Sequence, residues 1–326
     1  MLKKLQDKGI LRIQDSAFAP LTQNNIALPG GLLNQMSTKL IEVILRKRNA
    51  DKVIGQRNKL ANWEMEQVTI PMLEKIGQTT PYSDWGLTRS TALNLNFFTV
   101  RNYRFSARIE VGALETKQLA QVKVDAYAKK FEAASEALAV EFNNVAFNGY
   151  IDNTSGSFLC YGLFNNPDMP AYQAITKKWE ASTWKEVVAT ITAGVTDLIT
   201  KSGSNINEDS KIKLVLPPQK IAWLKNLYTD LGISVYKLIV DGNYGNIEIV
   251  SAIELAGAYT GNVDVMYFIA EDPIGGTADT LEQGYSELNL MSNVVLSENR
   301  MSQEISSGSL GTILYKPTFI SRWQGL

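Results

Sequence analysis

The sequence predicts an α+β fold, and three stretches carry that expectation. Residues 115–147 contain neither Gly nor Pro and read as one long helix, residues 93–111 alternate apolar and polar side chains as a strand does, and residues 182–270 alternate helical and strand patterns. A chain of 326 residues, 45% hydrophobic and 20% charged, can bury a substantial core and hold more than one domain.

In the long helix, apolar residues recur at Ala120, Val124, Tyr127, Phe131, Ala134, Leu138, Phe142 and Val145, steps of three and four that share one face. Lys117, Lys123, Asp125, Lys129, Lys130, Glu132, Glu136 and Glu141 fall between them and solvate the other face. At 1.5 Å per residue the run spans roughly 50 Å, a spine longer than a compact domain requires. Gly149 follows as a stop signal. The apolar stripe is rich in Ala and lacks sustained leucine heptads, which disfavours a coiled coil or bundle.

Ahead of the spine, residues 1–60 read as an extended arm. Pro20, Pro29, Gly30 and Gly31 with scattered hydrophobes cannot bury enough surface to fold alone. One helix interrupts it at residues 33–46, with Met36, Leu40, Val43 and Ile44 on one side and Arg46, Lys47 and Arg48 where the macrodipole favours cations. Residues 63–111 read as a long β-hairpin. One face of its second strand is Leu93, Leu95, Phe97, Thr99, Arg101, Tyr103, Phe105, Ala107, Ile109 and Val111, and only Phe98 and Val100 disturb the polar side. The run far exceeds the ~5–6 residues of an ordinary strand. Residues 64–72 are the returning strand, and residues 77–90, with Pro81, Asp84 and Gly86, form the tip. A lone hairpin has too little core to be stable, so it must lie on something else, which in a self-assembling protein is a neighbouring subunit. The candidate inter-subunit contacts are therefore Lys75, Tyr82, Trp85, Phe97, Tyr103 and Phe105.

Beyond the spine come a loop at 148–157 and the string Tyr161-Gly162-Leu163-Phe164-Asn165-Asn166-Pro167. Thr183 and Glu186 form a capping box for a helix that buries Val187, Val188, Ile191, Val195, Leu198 and Ile199. A buried strand at 212–216 runs into Pro217 and Pro218, which open a helix with Ile221, Leu224 and Leu227 inward. Residues 235–240 fit helix or strand, while 246–250 and 263–270 read as strands. The last stretch, 288–323, is strand-like with turns expected at Gly308 and Gly311, and it returns to the sheet beside the spine.

Composition removes most chemistry. With no histidine and one cysteine, Cys160, the chain has no imidazole base, no Cys or His metal site and no internal disulfide, and Cys160 reads as a small buried hydrophobe. No phosphate-cradling loop, dinucleotide fingerprint or calcium loop occurs, and no cofactor is implied. Glu271 and Asp272 read as solvated loop charges. Thirty-two basic against thirty-three acidic residues, with no basic block, argue against a dedicated nucleic-acid reader, although not against a protein that encloses nucleic acid. No run of ~18 apolar residues or signal-type segment is present, so a cytosolic, membrane-free protein is expected.

The order arm, hairpin, spine, α/β layer and returning strands resembles the major capsid proteins of tailed bacteriophages, the Hong Kong 97-like fold. Glu141, Asn144, Phe147 and Gly149 at the end of the spine, then Tyr161, Gly162, Leu163, Asn165 and Pro167, and the Leu214-Val215-Leu216-Pro217 junction, carry the likeness. The resemblance implies an N-terminal arm at 1–60, an E-loop at 61–112, a peripheral domain at 113–181 and 271–326, and an axial domain at 182–270 in which 235–240 is helical. It further implies pentamers and hexamers of the chain in an icosahedral virion shell around double-stranded DNA without sequence-specific contacts. Assembly would take place in the host bacterial cytoplasm, with scaffold, portal and decoration proteins as further partners. An encapsulin-type compartment shares that fold, and an enzyme using carboxylates on residues 182–270 is the alternative from another class.

Overall fold

The computed structural model describes residues 48–76, 84, 92–121, 125–152, 154, 156–206, 210–242, 246–271 and 279–326. The helix expected at 33–46 and most of the hairpin tip, with Tyr82 and Trp85, lie outside the described residues. In chain order the elements are α1 (Ala50–Val53), β1 (Arg57–Lys59), β2 (Gln67–Ile76), β3 (Ala92–Arg101), β4 (Tyr103–Gly112), α2 (Ala113–Gln121), α3 (Ala126–Asn148), β5 (Tyr150–Ile151), β6 (Phe158–Cys160) and β7 (Gln173–Ala174). There follow α4 (Trp184–Lys201), β8 (Lys211–Leu216), α5 (Pro218–Asn226), α6 (Val235–Asp241), β9 (Asn246–Ser251), β10 (Val265–Ala270), β11 (Leu281–Met291), β12 (Val295–Ser297), β13 (Arg300–Leu314) and β14 (Ile320–Gln324).

The spine is two helices rather than one. The second, α3, has 23 residues and so spans about 35 Å. The break has a local cause: Asp125 is extended (φ −79°, ψ 110°), and its carboxylate accepts the N–H groups of Tyr127 and Ala128. A short acidic side chain that satisfies the first free N–H groups of a helix competes with continuing the helix before it. Ala126, Ala134 and Leu138 pack on Ile109 and Val111 of β4 and Ile305 of β13, with Phe105, Tyr127 and Phe131 around them.

The sheet beneath the spine has β13 at its centre. Strand β4 pairs antiparallel along one edge, β11 and β12 lie on the other, and β1 adds parallel to β11. The expected arm therefore ends earlier than residue 60. Ala50, Val53 and Ile54 are buried, and Lys59 and Asn58 hold Glu287 and Glu282 of β11. Gly308 and Gly311 lie inside β13 rather than at turns, because neighbours approach too closely for a side chain. A Cβ on Gly311 (φ 73°) would stand 2.3 Å from the Tyr161 carbonyl oxygen.

The strand expected over 93–111 also divides. Up to Arg101 it pairs, among the described residues, with β2 alone, and from Tyr103 it pairs with β13. Its inward face reverses at Asn102: Leu93, Leu95 and Phe97 are 71%, 53% and 59% exposed, whereas Ile109 and Val111 are buried. Phe98 and Val100, which disturb the sequence alternation, are the half-buried residues of β3, and Phe98 makes an edge contact with Tyr315 at 6.3 Å.

The second sheet has the order β7-β14-β10-β8-β9. All six residues of β10 are buried, as a central strand covered on both faces requires. One face holds Leu214, Met266 and Phe268 against Val187, Ile191, Val195 and Leu198 of α4. Gly194 lets that helix approach so closely that a Cβ would sit 2.2 Å from the Phe268 ring. The other face packs Val215, Tyr267 and Ile320 with Phe147, Leu163, Leu281 and Leu314. The expectation that all C-terminal strands return to the spine holds for β11 to β13 but not for β14, which pairs with β10 through five residue pairs. Its Ile320 is apolar enough to be drawn into this core. Capping by Thr183 and Glu186 opens α4, Pro218 opens α5, and residues 235–241 are helical behind the Ser234 cap.

Candidate assembly surfaces

A rigid joint positions the exposed parts. The spine helix α3 ends with carbonyl groups that have no helical partner, and the string after β6 satisfies them one by one. Leu163 N–H donates to Ala146 O and Phe164 N–H to Phe147 O, both at 2.9 Å, and the Asn165 amide donates to Asn148 O. Thr312 of β13 adds its hydroxyl to Ala146 O at 2.6 Å and its N–H to Tyr161 O at 2.9 Å. Gly149 and Gly162 make the contact possible, since a Cβ on Gly162 would stand 2.5 Å from the Phe147 carbonyl. Cys160 is buried here, and desolvation pushes its thiol up to about 12, which keeps it unreactive.

Two of the sequence-predicted contact residues, both half-buried, also make ring contacts inside the subunit. Tyr103 stacks on Tyr150 at 3.7 Å and on Phe105 at 5.3 Å, and Phe105 meets the Phe142 edge at 5.0 Å. Burial, then the Glu141 carboxylate, raise the Tyr103 phenol above its ordinary range. Their placement corrects the single-face reading, which did not register the reversal at Asn102. Phe97 stays on the exposed face with Leu93 and Leu95. Lys75 lies in β2 opposite Leu93.

Two further apolar surfaces were not singled out by sequence. At the outer end of the spine sheet Leu290, Met291, Val295 and Leu296 are exposed, and between α5 and α6 so are Tyr228, Leu231 and Ile233. The available signal was apolar residues in turn-rich segments, which solvent alone does not favour. Among the described residues no cluster of three acidic or Cys side chains could hold a metal ion, and no helix is long and apolar enough to cross a membrane.

Solved structures share this architecture. A chain of the capsid of Myoviridae phage XM1 superposes with a TM-score of 0.72 at 13% identity, over 90% of this chain and 97% of that one. The capsid of the native GTA particle aligns at 0.58 and 11% identity over 94% and 99% of the two chains. A Gordonia phage Cozz chain gives 0.56 and 13% over 95% and 98%. At such identities the likeness is one of fold. No curated protein matches the sequence. A family model described as Pa193 gp26 major capsid protein matches residues 19–325, nearly the whole length, and the chain therefore belongs to that major capsid protein family.

Proposed function

We infer that this major capsid protein assembles as pentamers and hexamers into an icosahedral shell around the double-stranded DNA of a tailed phage, in the Hong Kong 97-like arrangement. Residues 1–60 are then the arm, its last part from Ala50 packed onto the subunit, 61–112 the E-loop, 113–181 and 271–326 the peripheral domain, and 182–270 the axial domain, with β4 shared into the spine sheet and β14 into the axial one. The role is structural rather than enzymatic. Scaffold, portal and decoration proteins are the further partners, and the host bacterial cytoplasm is the place of assembly.

The observation that supports this reading is the hairpin itself, whose Leu93, Leu95 and Phe97 are bare in a chain of this family. Its proposed contacts to a neighbouring copy are Lys75, Tyr82, Trp85 and Phe97, with the half-buried Tyr103 and Phe105 offering only their outer edges. Such contacts are weak singly and strong by repetition in a closed lattice. A formal charge of −1 fits a wall that encloses DNA without gripping its phosphates. Sedimentation and negative-stain microscopy of the purified chain test the reading. The full chain should close into shells, and a variant lacking residues 77–90 should stay a folded monomer or capsomer. A full chain that remains a 36.1 kDa monomer, or closed shells from the deletion, would overturn it.

A further inference from the structure

The geometry points to Asn102 as the positioning residue that sets the direction in which the β2–β3 hairpin leaves the subunit. Only its consequence for shells rests on the function proposed above.

Asn102 is the single residue between β3 and β4 and is 6% exposed. Its backbone N–H donates to Glu66 O at 2.8 Å, and its side-chain amide donates to Met65 O at 3.1 Å. The amide oxygen accepts the hydroxyl of Ser286, a buried residue of β11, at 3.1 Å. One residue thus ties the segment entering the hairpin, the segment leaving it and the sheet below. Arg104, two positions on, repeats the hold: Nε donates to Trp63 O at 2.9 Å and a terminal nitrogen to Met65 O at 3.0 Å, with the guanidinium 5.6 Å from the Trp63 ring centre.

Space is kept for this arrangement. A Cβ on Gly308 would stand 2.1 Å from the Ser286 hydroxyl and 3.0 Å from the Asn102 amide oxygen. The residue type follows from the bonds, since a carboxylate could not donate to Met65 O and an aliphatic side chain would leave the Ser286 hydroxyl unpaired in the interior. The exposed face of the strand reverses at the same residue, so the clamp holds the rotation that turns Leu93, Leu95 and Phe97 outward while Ile109 and Val111 face the spine.

Distances between nitroxide labels on the full chain test this, with Asn96→Cys on the hairpin and Glu132→Cys on the spine helix, diluted with unlabelled chain and read by pulsed paramagnetic resonance. The otherwise native chain should give one narrow distribution. Asn102→Asp should shift and broaden it, and Ser286→Ala, which spares the bonds to residues 65 and 66, should do so less. Should Asn102→Asp fail to fold, Gly308→Ala disturbs the same clamp from the opposite strand and should broaden the distribution. A lowered melting temperature with an unmoved distribution in these variants overturns the proposal, because it marks a residue that merely stabilises. Shells are imaged in parallel, and Asn102→Asp should give open or polymorphic assemblies. Native distances and closed shells from that variant overturn the clamp and leave the shell function standing. Failure of the unsubstituted chain to assemble overturns the shell function, and the distances still decide for or against the clamp.

Discussion

Strands β10 and β3 are both extended and apolar-rich, yet all six residues of β10 are buried, whereas Leu93, Leu95 and Phe97 of β3 lie open to solvent. The contrast is one of cover. β10 is a continuous apolar run, Val265 to Ala270, clad by α4 on one face and by the end of the spine helix on the other. β3 alternates with Asn94 and Asn96, pairs among the described residues only with β2, and meets the spine sheet's end through Phe98 and Tyr315. Strand β10 is covered on both faces within one chain, and the hairpin has a face that the described residues of one chain leave open.

Substitution should separate the two. Truncating Phe268→Ala empties the centre of the axial core and should cost about 3–5 kcal/mol in urea unfolding followed by circular dichroism. A loss below about 1 kcal/mol would mean that β10 is not the core strand its burial indicates.

A smaller effect belongs to the α4 terminus, where Thr183→Ala should cost about 1 kcal/mol by the same measurement. Glu186 in that capping box is exposed, and its carboxyl is lowered to about 2 by the Thr183 N–H, then by Lys177 and the Thr183 hydroxyl. Its folded value lies below the ~4.3 of an unfolded glutamate. Its contribution is therefore complete above about pH 4.3 and is lost as pH falls toward 2. Unfolding followed between those pH values should show that loss in the unsubstituted chain and less of it in Thr183→Ala.

The smallest effect on stability is expected on the hairpin. Phe97→Ser should leave the unfolding free energy within about 0.5 kcal/mol, since no packed neighbour is removed, while the yield of closed shells falls. A large loss of monomer stability would mean that this face is covered within its own chain.

Much of this was legible because the signals were local. The capping box, the proline-started helix and the strand at 211–216 depend on residues within a few positions of one another, and each lies where the pattern puts it. The Tyr161–Pro167 string was legible as a motif, although its work of capping the spine helix depends on Thr312, far away in sequence. In the sequence Asp125 looks like one more solvated charge on the spine, because a periodic apolar stripe does not reveal whether an acidic residue within it faces water or caps a new helix. Gly308 and Gly311 suggest turns in the sequence, because glycine permits tight bends and close approach alike, and only the neighbouring strands decide between them.

By itself the sequence determined the kinds of element and their order, through hydrophobic period, caps and breakers that act over a few residues. The tertiary structure decided which surfaces those elements share. It placed β14 in the axial sheet, turned the hairpin face outward at Asn102, and drew Tyr103 and Phe105 beneath the spine. The physical reason is that alternation states that one face of a strand needs cover, whereas what covers it is set by long-range packing and hydrogen bonds between segments as distant as residues 102 and 286.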